Sequence, residues 1–336
     1  MMTPVVRMLT LMALAAPVAA SAQDSPAVTA GIQGAQSLAG TEWKRAADFF
    51  CSTEEQVAAM KILPSATEGD VEGQRAEPVK VFDNLYFVGR KAVTTWALAT
   101  SQGIVLIDAG YGDRFDDTLV AGLRKVGLDP RRITAALVAH EHADHFGGAR
   151  RLQEQFGTTI YMARAAWDAL DPKPGAAPAS GPDAPPKRAM VMTDGQAVTF
   201  GDTTIVPVAI PGHTAGSMGF IFPVKDGTAV HTAAMFGGSI LNPQRRFPAS
   251  LFQEYLRSIE HFTEATRRAR VDVELLNHPI MDGLFERLER LKTRRTGEPH
   301  PLVVGEAAYQ RFLGVMAACT RVQLARKANQ PGGSAP

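Results

Sequence analysis

The stretch His140-Glu141-His142-Ala143-Asp144-His145 places four potential metal ligands within six residues, directly after the apolar run at residues 133–138. In an extended chain alternate side chains point the same way, so His140 and His142 can reach one ion together. The side chains of Asp144 and His145 diverge from that direction and can serve a second ion nearby. Histidine and carboxylate ligands suit zinc. A strand that ends in a metal site is therefore predicted here.

Two other metal motifs are excluded by the residues themselves. A His-Glu-x-x-His zinc helix needs a histidine at the position of Asp144, and a cysteine-type zinc site has no cysteine near these histidines. The alternative is a polar loop whose histidines cluster by chance. Because the chain has 8 histidines in 336 residues, three of them in this short stretch favour the metal site.

Two later histidines complete the candidate ligand set. His213 lies in the glycine-containing turn Pro211-Gly212-His213-Thr214, after an apolar strand-like run. A three-histidine site needs one ligand beyond the first two histidines, and His213 is the candidate. His278 also follows an apolar run and precedes Pro279. Together with the other five residues it is predicted as the sixth ligand.

The first 22 residues are typical of a secretory signal peptide. A weakly basic start precedes an apolar run at residues 9–20, and Ala20-Ser21-Ala22 has the small-x-small pattern of a cleavage site. The alternatives are a membrane anchor and a buried N-terminal helix. Loss of Arg7 takes away the single net positive charge, and a neutral chain has no strong field for nucleic acid or anionic lipid. We expect a secreted, periplasmic protein with no nucleic-acid partner and no membrane anchor after cleavage.

Beyond the signal peptide, three further segments differ in composition. Residues 23–78 are rich in Ala, Gly, Gln and Pro, and they predict an N-terminal arm laid over the core, with a helix at residues 42–60. Residues 79–328 alternate strand-like and helical runs, which indicates an α/β layered domain. Residues 329–336 are predicted to be a flexible tail.

Smaller features carry three more expectations. The segment at residues 171–187 is dense in Pro, Ala and Gly and predicts a surface loop. Ser250-Leu251-Phe252-Gln253 has the spacing of a capping box, which predicts the start of a helix. Cys51 and Cys319 are either a disulfide that joins the two ends of the domain or two buried thiols.

The order His-x-His-x-Asp-His, then Pro-Gly-His-Thr, then a late histidine resembles the metallo-β-lactamase superfamily. The resemblance runs from about residue 79 onward. It implies an αββα sandwich, in which two facing mixed β-sheets have helices outside and the metals lie at one edge. It also implies a small-molecule substrate and two Zn²⁺ ions. The implied ligands of the first ion are His140, His142 and His213, and those of the second are Asp144, His145 and His278.

The segment before the sixth ligand resembles the third subclass of metallo-β-lactamases. Many superfamily members place an aspartate there, and the other two subclasses place a cysteine, but the segment at residues 234–239 ends in Gly237-Gly238-Ser239. The resemblance implies that Ser239 contacts the substrate, although it could instead only cap a turn. Leu241 departs from that subclass, where a second serine is usual, and Gly237-Gly238 replaces a more usual Ala-Asp.

The implied reaction is hydrolysis of a β-lactam amide by water that the zinc ions activate, with Asp144 as the catalytic residue that orients the water. A related cyclic amide or ester is the other substrate class, so the alternatives are a lactonase or esterase on the same fold and a metal-binding protein without catalysis. Asp108 ends a buried strand-like run. It either fixes the orientation of a ligand histidine or only forms a turn before Gly110.

Overall fold

Two β-sheets face each other in the computed structural model, which describes residues 24–60, 75–172, 175, 179–241 and 247–329. The predicted signal peptide lies outside the described residues, as does the predicted tail apart from Asn329. None of the helices among these residues has the length and apolarity needed to cross a membrane.

Both sheets are mixed. The first sheet has seven strands in chain order, antiparallel from β1 to β4 and parallel from β4 to β7. The second has the order β12-β11-β10-β9-β8, and only the β11–β12 pair is parallel. The strands are β1 Val79–Lys80, β2 Leu85–Phe87, β3 Trp96–Thr100, β4 Gly103–Ile107, β5 Ile133–Leu137, β6 Thr159–Ala163, β7 Met190–Met192, β8 Val198–Phe200, β9 Thr203–Ala209, β10 Met218–Asp226, β11 Ala229–Phe236 and β12 Val273–Leu276.

Strand alternation explains why the sheets stack. Successive side chains of a strand point to opposite faces, so a strand of the second sheet contributes side chains to two hydrophobic cores, one on each face. In β10, Phe220 and Phe222 join the core between the sheets, whereas Ile221 joins the core under the outer helices. In β11, Met235 and Phe236 divide in the same way. The expected αββα sandwich of the α/β class is confirmed.

The helices cover the two outer faces. Helices α6 and α7 contact the first sheet, while α8 and α10 contact the second. The helices are α1 Pro26–Ala39, α2 Lys44–Phe50, α3 Glu54–Met60, α4 Ala121–Lys125, α5 Ala143–Phe146, α6 Ala149–Phe156, α7 Arg164–Leu170, α8 Ala249–Arg268, α9 Leu284–Lys292 and α10 Glu306–Ala328.

The N-terminal segment contains a helix that its sequence pattern does not predict. Helix α1 packs along α10 through small residues such as Ala35 and Ala39. A side chain on Gly31 would come within 3.0 Å of Val322. Small residues allow close helix packing but give little hydrophobic periodicity, which is why the helix was not expected. The predicted helix at residues 42–60 is instead two helices, α2 and α3.

A disulfide ties this segment to the last helix. Cys51 follows α2, and its sulfur is bonded to that of Cys319 in α10. The Trp43 indole also donates a hydrogen bond to Ala308 O at 2.9 Å. Of the two alternatives left open by the sequence, the structure therefore has the disulfide.

The expected capping box was wrong. Helix α8 begins at Ala249 after an extended Pro248, and no side chain caps it, so the spacing at Ser250 does not form a capping box. The proline fixes the entry of the chain, and Ser250 already lies inside the first turn. Before α4, a π-helical stretch, Phe115–Val120, makes residues 115–125 continuously helical.

Candidate metal centre

Several strands end at one edge of the sandwich, and the candidate ligands lie in the turns that follow them. His140 follows β5, His213 follows β9 and His278 follows β12. A hydrogen bond from Met218 N to Ala139 O at 2.8 Å joins the two sheets beside the site. The residues predicted from the sequence are thus collected from both sheets.

Three histidine nitrogens converge in the first trio. His140 Nε2 lies 3.1 Å from His142 Nδ1 and 3.0 Å from His213 Nε2, and the last two atoms are 3.1 Å apart. Gly212 makes this approach feasible, since its φ is 134° and a side chain there would lie 2.8 Å from the backbone of Tyr255.

The second trio contains one carboxylate and two histidines. His145 Nε2 lies 3.1 Å from His278 Nε2, and Asp144 Oδ2 lies 3.3 Å and 3.6 Å from these two atoms. The short helix α5 begins at residue 143, directly after the first trio's His142. It turns Asp144 and His145 away from the first two histidines, which an extended chain alone would not achieve.

The donor set of both trios fits a divalent metal. The ligand atoms of each group lie within 4.8 Å of one another. Three imidazole nitrogens that face each other cannot all be satisfied by mutual hydrogen bonds, because a neutral imidazole has one N–H. An ion with nitrogen and oxygen ligands about 2.0–2.2 Å away resolves this, as in zinc sites.

The environment keeps most of these histidines neutral. Burial first, and then the neighbouring histidines, lower the pKa of His140 well below its usual value and that of His213 to about 3. The same two causes lower the pKa of His278 to about 4. A neutral imidazole is the form that binds metal.

Two carboxylates surround His145. Burial lowers its pKa, but the charges of Asp144 and Asp108 outweigh burial and raise the pKa to about 10. Burial likewise raises the pKa of Asp144, and the histidines around it bring it below the usual range. In the absence of metal a proton thus resides between these groups, and a bound cation would replace it.

Asp108 makes two contacts behind the second trio. Its Oδ2 is 2.7 Å from His145 Nδ1, and its Oδ1 accepts a hydrogen bond from Ala139 N at 2.7 Å. Asp108 is fully buried and has a positive φ of 61°. A carboxylate on the far nitrogen of a histidine fixes which nitrogen faces a metal.

The hydroxyl of Ser239 points into the protein. It donates to Asn277 Oδ1 at 2.9 Å, and Ser239 is only 1% exposed. The Asn277 amide in turn donates to Gly237 O at 2.5 Å. These two hydrogen bonds connect the turn after β11 to Asn277, the residue that precedes His278. A substrate contact by Ser239 stays a prediction.

Sequence reasoning overlooked Asn277 and Glu141, although both adjoin predicted ligands. Thr214 donates to Glu141 Oε2 at 2.8 Å, so the contact joins the two loops that carry the first trio. Their positions directly beside candidate histidines in the sequence could have identified both residues. Their partners are distant in sequence, however, and only the fold identifies them.

Comparison with known proteins gives one family match and a consistent fold. Residues 88–230 match the model described as the metallo-β-lactamase superfamily. An acyl-coenzyme A thioesterase, MBLAC2, from Gallus gallus is 26% identical over 62% of this chain and 79% of its own length. A hydroxyacylglutathione hydrolase from Chelativorans sp. is 26% identical over 57% of this chain and 71% of its own.

Solved structures share the architecture. BJP-1, a subclass B3 metallo-β-lactamase of Bradyrhizobium japonicum, superposes with a TM-score of 0.63 at 23% identity, covering 77% of this chain and 98% of its own. At that identity the likeness concerns the fold alone.

Proposed function

Because this chain belongs to the metallo-β-lactamase superfamily of hydrolases, we propose that it binds two zinc ions and hydrolyses the amide bond of β-lactams. The observation that carries this proposal is the pair of ligand trios at one edge of the sandwich. Each trio converges on one point, and both lie in turns whose backbone is tied to both sheets.

The segment after β11 supports the β-lactamase reaction over others of this superfamily. No carboxylate and no cysteine occurs in the described turn Phe236-Gly237-Gly238-Ser239, and this absence resembles the third subclass. The fold neighbour of that subclass covers most of this domain.

The metal ligands, Asp144 and Asp108 would have different roles in hydrolysis. Zinc at these ligands supplies Lewis acidity and lowers the pKa of bound water toward ~7. Asp144 is the proposed catalytic residue, since its carboxylate is 20% exposed and can accept a hydrogen bond from the attacking water, which would orient that water. Asp108 would hold His145 in one orientation while the water adds and the amide C–N bond breaks.

Hydrolysis assays test this proposal. Residues 23–336 should hydrolyse nitrocefin, a penicillin and a carbapenem when zinc is supplied, and a chelator should abolish the activity. His213→Ala should lose most activity because the first trio loses one ligand. No turnover of any of the three by protein shown to hold two zinc ions would overturn the β-lactamase proposal.

We also propose that the protein is secreted to the periplasm. Residues 1–22 have the composition of a signal peptide, and the Cys51–Cys319 disulfide suits an oxidising compartment. The mass of the mature protein after expression should correspond to a start at Gln23. A chain that retains residues 1–22 would contradict this.

Hydrolysis of an ester, thioester or lactone is the second candidate. The relatives named above are a thioesterase and a hydroxyacylglutathione hydrolase, and Leu241 places an apolar side chain where the third subclass has serine. A kcat/KM for acyl lactones or thioesters above that for every β-lactam would favour this candidate. Bound metal with no hydrolysis of any of these substrates would favour a non-catalytic role.

A further inference from the structure

The turn between β2 and β3 contacts the metal centre and carries an arginine. Ala92, in this turn, presents its carbonyl oxygen 2.9 Å from Nδ1 of His278. A hydrogen bond from Arg90 N to Val93 O at 2.8 Å closes the turn. Arg90 is therefore two residues from an atom that contacts a candidate ligand, on a turn with a fixed backbone.

The ring of Tyr111 contacts the Arg90 side chain. The guanidinium carbon lies 5.0 Å from the centroid of the Tyr111 ring, within the range of a cation–π contact. Tyr111 is half-buried, and burial together with the charge of Asp144 raises the pKa of its hydroxyl to about 12. Ala109, two residues before Tyr111, donates a hydrogen bond to His145 O at 2.8 Å, so the segment that carries Tyr111 contacts the second trio.

Arg90 has no carboxylate partner within the part of the chain that the structure describes, whereas Arg151 pairs with Asp116 and Arg188 with Asp168. It is only partly exposed, so its position is restricted without being neutralised. A guanidinium has five N–H donors in a fork that matches a carboxylate. These donors are available to a ligand at the site.

The other groups expected to bind a substrate anion are less available. The hydroxyl of Ser239 is used by Asn277, and Leu241 has no polar side-chain atom. The candidate positive partner for an anionic substrate bound at the metal centre is therefore Arg90, on the turn that contacts His278.

We propose that Arg90 binds the anionic group of the substrate and that Tyr111 is the residue that positions it. This inference rests on the proposed metal centre and deepens the proposed function, because it names the substrate class: an amide or ester that carries a carboxylate. β-Lactam antibiotics such as the penicillins have one.

Direct binding of two matched thiols tests Arg90 without any turnover. Calorimetry on the zinc-loaded protein would compare 3-mercaptopropionate with 3-mercaptopropionamide, which differ only in the carboxylate. The wild type should bind the acid about tenfold more tightly than the amide, as expected for a charge-assisted contact. Arg90→Gln should abolish that preference. Lys91→Ala, which removes the neighbouring exposed cation, should retain it.

Tyr111 is tested by the same measurement. Tyr111→Phe keeps the ring and should keep the preference for the acid, whereas Tyr111→Leu should reduce it. For a carboxylate-bearing β-lactam, Arg90→Gln should raise KM with little change in kcat, because the contact exists in the ground state and the transition state alike.

The outcomes separate the two proposals. An Arg90→Gln protein that still prefers the acid overturns the assignment of Arg90. If zinc-loaded protein binds neither thiol, the Arg90 proposal fails, whereas the metal centre fails only if the protein does not take up zinc. If Arg90 discriminates between the thiols but no β-lactam is hydrolysed, the β-lactamase proposal fails and the Arg90 assignment stands.

Discussion

Asp108 contacts the protein through both carboxylate oxygens, and its two contacts can be separated by one substitution. Asp108→Asn keeps an oxygen for Ala139 N but places an amide group, which cannot accept a hydrogen bond, opposite His145 Nδ1. We expect about a 10–100-fold loss of zinc affinity at the second trio, since such supporting contacts have that magnitude in other metal sites. Titration against a chromophoric chelator measures it.

The control for this prediction lies in the first trio, which Asp108 does not touch. Its zinc affinity should be unchanged in the Asp108→Asn protein. Retention of both ions with wild-type affinity would show that Asp108 acts only in the turn that precedes Gly110.

Ser239 offers a second test at the residue scale. Ser239→Ala leaves the Oδ1 atom of Asn277 buried without its donor, and an unsatisfied buried acceptor costs about 1–3 kcal/mol of unfolding free energy. Urea denaturation measures this loss. If Ser239 instead binds substrate, the variant should show a raised KM with little loss of stability.

At the scale of elements, the turn after β11 depends on a glycine. A Cβ atom on Gly238 would lie 2.9 Å from Cβ of His213. Gly238→Ala should therefore displace His213 and weaken zinc binding at the first trio by about tenfold or more, as a lost or misplaced ligand contact would. Zinc affinity measured by competition with a chelator checks this.

A matched glycine lies in α1. Gly34 is helical, and nothing lies within 4 Å of an added Cβ. Gly34→Ala should leave zinc binding unchanged and stabilise the fold by up to about 1 kcal/mol. If Gly238→Ala binds zinc as tightly as the wild type does, the added Cβ atom does not displace His213 and the prediction is wrong.

Elements with strong local patterns were predictable from the sequence, and others were not. Strand β4, Gly103–Ile107, is the buried strand predicted to end at Asp108, because a short apolar run between turn residues favours a buried strand. Helix α1 was missed because its buried face consists of small residues. Ser250 does not cap α8, because the helix already begins at Ala249 and Ser250 lies inside its first turn.

The six candidate ligands were predictable because each lies directly after an apolar strand, and the structure brings them together in two trios. That alone does not test their roles. The contacts around them depend on pairs far apart in the sequence, such as Ala92 with His278 or Asp108 with His145. Local patterns carry no information about such pairs, so Arg90, Tyr111 and Asn277 could not be assigned before the fold was known.

At the scale of the whole molecule, a buried charge cluster joins β12, α9 and the N-terminal helices. Arg287 donates to Glu274 Oε2 at 3.1 Å and lies 4.9 Å from the ring of Trp43. Asp282 is buried beside them, and one oxygen of each carboxylate has no hydrogen-bond partner within the described structure. Burial first, and then the charge of Asp282, raise the pKa of Glu274.

The pKa of Glu274 is raised from 4.5 to about 8, which predicts a loss of stability as the pH rises between these two values. A carboxyl group whose pKa is raised in the folded state contributes stability that is fully present when the pH is below its pKa in the unfolded chain. That contribution is lost as the pH rises through the pKa of the folded state. Glu274→Gln cannot ionise. Between about pH 4.5 and 8, its unfolding free energy should therefore fall less than that of the wild type. Parallel pH profiles in denaturation experiments would contradict this.

The disulfide gives the second prediction at this scale. It closes a sequence separation of 268 residues, and loss of such a bond costs about 2–5 kcal/mol. The double variant Cys51→Ser/Cys319→Ser should unfold at a lower denaturant concentration. Neither cysteine belongs to a ligand trio, so zinc stoichiometry should remain that of the wild type. Loss of zinc together with stability would show that the N-terminal helices support the site.

That same bond constrains how the chain is made. Cys51 is synthesised long before Cys319, and it must wait as a thiol, neither overoxidised nor captured by another chain, until its partner emerges. With two cysteines there is only one way to pair within a molecule, so no reshuffling of wrong bonds is needed. Production of the intact protein should therefore depend on an oxidant and on dilution, which limits pairing between chains, and very little on a disulfide isomerase.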